Sequence, residues 1–374
     1  MKKIKLLYYD FNMPDLIKGK DHSGGGATVE WYAWIKGFVA NGHRVGVLTS
    51  KGAKNYVGKA LDCDIVETYD LNEGIPKMRW IHKRYPALLS AVQEYKPDFL
   101  VQECAGYYTG IMAHIGKRVN IPFIYRVAND MDTDKRLEDR LPKFEQLIYA
   151  YGIKHAEAII CQNAYQYDQM KKQYPQKKLA IVHNPYYYDG EFPDIKLQNE
   201  KKYVAWIGIF QYQKNLPLLF EIVKSLPGIE FRIAGKLMNK RPLDENTGEA
   251  LRLLEESKNV KFVGYLTRTE VIPFLSKAYA LLNTSQYEGF SNTFLESFFA
   301  GTPIVTTSRV DPDNIIDNHG LGRAVKSDGE LAAALALFIN QNEADYNSIV
   351  RQCRKHVIEK YNPGFLARKF IENI

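Results

Sequence analysis

Short, uninterrupted apolar runs alternate with segments of helical periodicity along nearly the whole chain, and that alternation leaves few folds open. Ile4–Tyr9, Val45–Thr49, Phe99–Gln102, Phe123–Val127, Ile159–Cys161 and Leu179–Val182 read as strands, with helical segments such as Thr28–Val39 and Ile111–Val119 between them. Strands lacking polar alternation are buried on both faces, which requires parallel pairing under crossover helices. The expected class is therefore α/β and doubly wound. The crossover Gly24–Gly42 is the clearest unit, with a glycine entry, an amphipathic helix and Asn41-Gly42 as its stop.

The pattern then restarts. After Asn184-Pro185 come three tyrosines and a polar stretch without periodicity, and Tyr203–Ile207 opens a second series: Ile229–Ala234, Val260–Val263, Ala280–Leu282 and Ile304–Thr306. A chain of 374 residues also exceeds what one core usually holds. The expected division is a domain over 1–185, a linker over 186–202 and a domain over 203–361. A helix over about 362–374 either finishes the second domain or crosses back onto the first. Two doubly wound, Rossmann-like domains facing across a cleft bind ligands at the carboxyl ends of their strands.

The strongest chemical signal is Glu288-Gly289-Phe290-Ser291-Asn292-Thr293-Phe294-Leu295-Glu296, between a strand ending Leu282-Asn283-Thr284-Ser285 and a helix closed by Gly301-Thr302-Pro303. A glycine loop with small hydroxyl residues opens a helix there. Its backbone N–H groups and dipole suit an anion such as a diphosphate. The Glu296 carboxylate accepts hydrogen bonds and suits vicinal hydroxyls, as on a ribose. The competing reading is a cap, with Ser291 or Asn292 as N-cap and carboxylates near the amino end.

This stretch resembles the paired-glutamate signature of retaining GT-B glycosyltransferases of family 4, two glutamates separated by seven residues. Four further landmarks in order are similar to the same family: Gly24-Gly25-Gly26-Ala27 with Asn41-Gly42-His43-Arg44-Val45, then Trp206-Ile207-Gly208 with Lys214-Asn215, then Ile233-Ala234-Gly235, and Asn259–Tyr265. The resemblance is continuous over about 203–307 and patchy over 1–185. It implies transfer of a sugar from a nucleotide sugar to a hydroxyl of a saccharide or lipid-linked saccharide, with no cofactor and no metal. Backbone amides of Gly289, Phe290, Ser291, Asn292 and Thr293 would hold the diphosphate. Glu296 would bind the ribose, Glu288 the donor sugar, and Lys214, beyond Gly208, a phosphate charge. Tyr265 would lie against the base, and Gly25 and Gly26 would let the first helix approach the sugar-phosphate.

Two places depart from the family. Where an Arg usually follows the glycine of the second domain's opening strand, this chain has Ile209 and Phe210, leaving Gln211 or Gln213 as neutral donors. Where a His often follows the strand Phe123–Val127, it has Ala128-Asn129-Asp130-Met131-Asp132. Asp130 or Asn129 is then the candidate contact with donor sugar or acceptor, against an Asx-turn with capping acids. The same fold would also suit a nucleotide-sugar 2-epimerase or a noncatalytic saccharide-binding protein.

Other chemistries fit poorly. Phe11–His22 separates the first strand from its glycines, and the second strand ends Leu48-Thr49-Ser50 without an acid, so a dinucleotide fingerprint fails; Walker-A spacing is absent. Asp130, Asp132 and Asp134 lack the glycine and late glutamate of a calcium loop. Residues 1–185 carry 27 Lys and Arg against 20 Asp and Glu, whereas 186–374 carry 23 of each. A basic first half suits an anionic partner, a nucleotide or a membrane surface, with no nucleic acid expected. Met78–Tyr85 mixes basic and aromatic residues, as an interfacial helix or a solvated crossover helix would. Tyr107-Tyr108 and Tyr186-Tyr187-Tyr188 are candidate sugar-stacking platforms. Four scattered cysteines, with no secretory leader expected, point to a reducing cytosol, with peripheral placement at the inner membrane face as an extension.

Overall fold

A computed structural model describes residues 2–17, 26–56, 62–76, 78–237 and 243–374. The chain divides into two units, Met1–Tyr187 with Tyr361–Ile374, and Tyr188–Lys360. Among the described residues, the sheet of the first unit has seven strands: β1 (Lys5–Tyr9), β2 (Arg44–Thr49), β3 (Asp64–Glu67), β4 (Phe99–Glu103), β5 (Phe123–Arg126), β6 (Ala158–Cys161) and β7 (Lys178–Ile181). Their order is β3-β2-β1-β4-β5-β6-β7, and the pairs are parallel. Leu6, Leu7, Val47, Leu100, Val101, Ile124 and Ile159 are fully buried, as strands covered on both faces require. The strand order reverses between β1 and β4, so the carboxyl ends there flank a topological switch point.

The sheet of the second unit has six strands among the described residues: β8 (Tyr203–Phe210), β9 (Phe231–Leu237), β10 (Val260–Gly264), β11 (Ala278–Leu282), β12 (Ile304–Thr307) and β13 (Gly322–Val325). The order is β10-β9-β8-β11-β12-β13, again parallel. Two strands were not anticipated from the sequence. β3 is four half-buried residues at the sheet edge, with an acid at each end. β13 is entered by Gly322, at φ 151°, where a Cβ would stand 1.9 Å from the Ile304 carbonyl oxygen; this close approach outweighs the weak strand propensity of glycine.

Residues 186–202 are not uniform. Tyr186 and Tyr187 lie with the first unit and Tyr188 onward with the second. Within the second unit the Lys201 ammonium is buried and donates to the carbonyls of Ser276 (2.8 Å) and Gly301 (3.2 Å). Burial lowers its pKa to about 7.

The C-terminal helix Pro363–Glu372 packs within the first unit on the helix Gly26–Ala40. A Cβ at Gly37 would fall 2.2 Å from the Pro363 carbonyl oxygen, so glycine permits the crossing. Phe370 meets Trp34 edge-on at 5.3 Å, and Asn41 Nδ2 donates to the Gly364 carbonyl at 2.7 Å.

The basic, aromatic segment takes neither expected form in full. Trp80–Arg84 is a π-helical turn running into the helix Tyr85–Tyr95. Trp80 turns inward against Tyr107 and Tyr108, each at 5.4 Å, which makes that tyrosine pair part of an aromatic cluster. Ile81 is left 76% exposed, with Ile75 and Met78 also outward.

Candidate functional site

Chain reversal after β8 builds the first part of the site. Residues Tyr212–Lys214 form a 3-10 turn, and Asn215, at φ 51°, caps the following helix Leu216–Ser225 through its side chain. That turn brings Lys214 back beside Gly208. A Cβ at Gly208 would stand 3.3 Å from the Lys214 Cγ and 2.9 Å from the Trp206 ring, so the glycine makes room for the lysine stem. The end of β11 is stitched to the same turn. The Thr284 hydroxyl donates to the Lys214 carbonyl (2.7 Å) and accepts from Trp206 Nε1 (3.1 Å).

These contacts set Lys214 and Glu288 together as an ion pair. The Glu288 carboxylate, 8% exposed, also accepts from Ser285 Oγ at 2.6 Å and Gln213 Nε2 at 3.3 Å. Sequence reasoning singled out both charges but not Ser285 or Gln213 as their partners. Gln211 and Gln213 are occupied locally: Gln211 Nε2 donates to Gln213 Oε1 (3.1 Å), and Gln213 Nε2 also reaches the Tyr287 carbonyl (2.8 Å). Ile209 is exposed at the strand end, and Phe210 is buried against Trp206 and Phe262.

The loop from Glu288 then enters the helix Asn292–Phe299. Ser291 stands at the N-cap in extended geometry (φ −68°, ψ 120°), and its side chain makes no cap hydrogen bond. Gly289 and Phe290 are buried, whereas Ser291, Asn292 and Thr293 are partly exposed. Glu296 is partly buried one turn on. Burial pushes its pKa up to about 7, and the Arg268 guanidinium opposes that shift. Gly264 (φ 75°) turns the chain at the end of β10 and presents Tyr265, which is 38% exposed. The Lys236 ammonium lies 3.9 Å from the Tyr265 ring centroid.

In the first unit, Gly26 opens the helix Gly26–Ala40, while Gly25 lies outside the described residues. Asp10, just past β1, hydrogen-bonds Thr28 in the first turn of that helix, and burial pushes its pKa up to about 6. Asp130 Oδ1 accepts from Asn163 Nδ2 (3.1 Å) and Gln166 Nε2 (2.9 Å), and burial likewise pushes its pKa to about 6. Asn129 takes the capping role, accepting from the Met131 N–H at 3.0 Å.

A buried polar cluster at the carboxyl ends of β4 and β5 escaped the sequence reading. The fully buried Arg126 pairs with Glu30 (2.5 Å) and Glu103 (2.9 Å) and donates to Asn184 Oδ1 (2.7 Å). Trp34 Nε1 donates to Glu30 at 3.0 Å, and the indole of Trp31 donates to Glu103. Both carboxyls are pushed up by burial, with Arg126 opposing. The available signal was a charged residue at two largely apolar runs, Glu103 just after Phe99–Gln102 and Arg126 within Phe123–Val127.

Comparison with known proteins is decisive at the family level. Residues 24–187 match the family model described as Glycosyltransferase Family 4, and 189–356 match that of Glycosyl transferases group 1. The chain belongs to the group 1 glycosyltransferases of GT-B fold.

Curated relatives of this GT-B chain are distant. They include a 2-deoxystreptamine N-acetyl-D-glucosaminyltransferase of Niallia circulans, 24% identical over 44% of this chain and 42% of that protein. Another is the lipopolysaccharide core biosynthesis glycosyltransferase LpsE of Rhizobium meliloti, 27% identical over 44% of this chain and 50% of that one. The chain thus matches half or less of these relatives' length. Solved GT-B structures match along its whole length. A TarM variant of S. aureus, in complex with fondaparinux, alpha-GlcNAc-glycerol and UDP, aligns with a TM-score of 0.74 at 13% identity, covering 100% of this chain and 99% of that one. HepE of Anabaena, in complex with UDP and glucose, aligns at 0.73 and 12% identity, covering 99% and 98%. In this GT-B chain the second unit thus gathers Gly208, Lys214, Glu288 and the loop to Thr293 around the ends of β8 and β11, with Tyr265 and Glu296 beside Lys236 and Arg268. Asp130 belongs to the first unit.

Proposed function

We propose that the chain is a retaining, metal-independent glycosyltransferase that moves a hexose-type sugar from a nucleotide sugar to a hydroxyl of a saccharide or lipid-linked saccharide. The observation that supports it best is the Lys214–Glu288 pair held at the start of the Asn292–Phe299 helix. The lysine and the helix-start amides take the charge of the departing diphosphate, the largest stabilising effect in such a transfer. The sugar–phosphate bond breaks early, and the leaving phosphate accepts the acceptor hydroxyl's proton on the face it departs from. No separate histidine base is needed. Glu288, relayed through Lys214 and Ser285, orients the lysine and faces the donor sugar. The names of the relatives and the UDP and glucose bound by HepE are consistent with a nucleotide-sugar donor.

The direct test incubates the protein with a panel of nucleotide sugars and saccharide acceptors and follows the anomeric proton by NMR. Retained configuration in the first-formed product is expected. Epimerised donor without an acceptor, or binding with no turnover across the panel, overturns the reading.

Glu296 supplies a pH test. An ionised carboxylate accepts from both ribose hydroxyls, and the protonated acid loses an acceptor. With its pKa raised to about 7, the ionised fraction falls as pH drops below that value, so nucleotide affinity falls in the same direction. Calorimetry between pH 6 and 8.5 should show this decline in the wild type, whereas Glu296→Gln flattens the part that exceeds the phosphate's own titration. Glu296→Ala should weaken nucleotide binding about 10- to 100-fold, given about 1.5–3 kcal/mol for hydrogen bonds to a charged group. Identical pH profiles count against the ribose assignment.

The outward Ile75, Met78 and Ile81, among Arg79, Lys83 and Arg84, suit peripheral contact with an anionic bilayer. Vesicles rich in phosphatidylglycerol, and not those of phosphatidylcholine alone, should sediment the protein, and Ile81→Glu should reduce the bound fraction several-fold. Equal recovery with both vesicle types excludes this contact. Among the described residues, no helix is long and apolar enough to cross a membrane.

A further inference from the structure

Lys214 is shared with Glu288, so it brings less than one full positive charge to a diphosphate, and position 209 contributes an exposed isoleucine. A departing nucleoside diphosphate needs more compensation than that. The adjacent strand holds the missing charge. β8 and β9 pair in register, Gly208 with Gly235 and Ile209 with Lys236. Registered residues on parallel neighbours project from the same face, so Lys236 stands alongside the Ile209 side chain at the carboxyl end of the sheet. The opposite face is apolar: Val204, Trp206 and Phe210 join Phe231 and Ile233 in the core.

The direction of the Lys236 side chain is known from its contact. Its ammonium rests 3.9 Å from the centroid of Tyr265, the ring that presents itself at the end of β10. A close approach at the preceding position helps to place it there, because a Cβ at Gly235 would lie 2.2 Å from the Gly208 carbonyl oxygen. Arg268 is a further cation of the described residues, and it faces Asp189 at 3.5 Å and the Glu296 carboxyl.

We propose that Lys236 supplies the second positive charge to the donor's diphosphate, in the place that Ile209 leaves without one. The assignment rests on the donor-site reading above. A base stacked on Tyr265 takes the ring face that the ammonium occupies, and the flexible four-carbon stem turns the charge toward the phosphates at the end of β8. Base stacking and phosphate neutralisation are coupled through one side chain.

The test is calorimetric, on the full chain. UDP, GDP and ADP are titrated first, and the tightest of them is then compared with its nucleoside and nucleoside monophosphate. Lys236→Met keeps the aliphatic stem on Tyr265 and removes the charge. It should weaken the diphosphate at least 10-fold, the monophosphate less, and the nucleoside by no more than twofold. Adding Ile209→Arg to Lys236→Met should restore most of the diphosphate affinity. Equal weakening of all three ligands means that Lys236 only braces Tyr265 and overturns the proposal, as does an unchanged diphosphate affinity or a failure of Ile209→Arg to rescue. If the wild type binds none of the three diphosphates, the donor-site reading fails and this inference fails with it. Binding by the wild type with no selective loss in the variant refutes the lysine's role alone.

Discussion

Lys214→Ala should lower kcat by about 10²- to 10³-fold, the range seen when one electrostatic donor to a transition state is removed. The substrate's KM should change much less, since the phosphate charge that Lys214 meets grows as the sugar–phosphate bond breaks. The variant also leaves Glu288, only 8% exposed, without its cation. Glu288 keeps the Ser285 and Gln213 hydrogen bonds, so the fold should persist. Lys214→Arg preserves the charge but presents a planar fork where Gly208 admits a narrow stem. It should recover only part of the rate. Steady-state kinetics with the donor identified by the panel provide the check, and a Lys214→Ala enzyme within threefold of wild-type kcat removes the lysine from the chemistry.

Arg126→Met should destabilise the first unit by about 3–5 kcal/mol, because it strands two carboxyls inside the protein. Urea unfolding followed by tryptophan fluorescence measures this well, since Trp31, Trp34 and Trp80 lie in the first unit and Trp206 in the second. The pH dependence has a definite sign. Burial raises the folded-state pKa values of Glu30 and Glu103 above the unfolded value of about 4.3, so the folded state binds more protons in that interval. Stability from these groups is then present in full below the unfolded value and declines as pH rises toward the folded one. Removing Arg126 deepens the effect, and the deficit of Arg126→Met should shrink on acidification from pH 7 to 5. A loss below 1 kcal/mol, or a deficit independent of pH, shows that the cluster does not hold the unit together.

Much of the architecture was legible because parallel strands buried on both faces leave continuous apolar runs. Tyr203–Ile207 and Ala280–Leu282, for example, need no long-range information to be read as strands, although the strands run on to Phe210 and begin at Ala278. β3 and β13 lay outside that rule: one is a half-buried edge, and the other begins at a glycine required by the Ile304 backbone. The loop entering the helix Asn292–Phe299 was legible for a similar reason, since Gly289 to Glu296 is one local passage from loop to helix. What the loop meets was not. Lys214 and Glu288 are 74 positions apart and come together through the pairing of β8 with β11 and the Thr284 hydroxyl. Arg126 looked like an ordinary residue within Phe123–Val127, because only the strand order reveals that it ends beside Glu103 and under the helix carrying Glu30. Lys236 was missed likewise, its significance arising from the register that sets it next to Ile209.

The helix Pro363–Glu372 closes over Gly37 and meets Trp34 and Phe38, although it is encoded after the entire second unit. On the ribosome, the first unit must therefore wait with that aromatic seam uncovered while some 170 further residues are made, at about 5–20 residues per second. Synthesis order and packing order differ in this molecule, and the interval between them is when a nascent chain would most need a chaperone's cover.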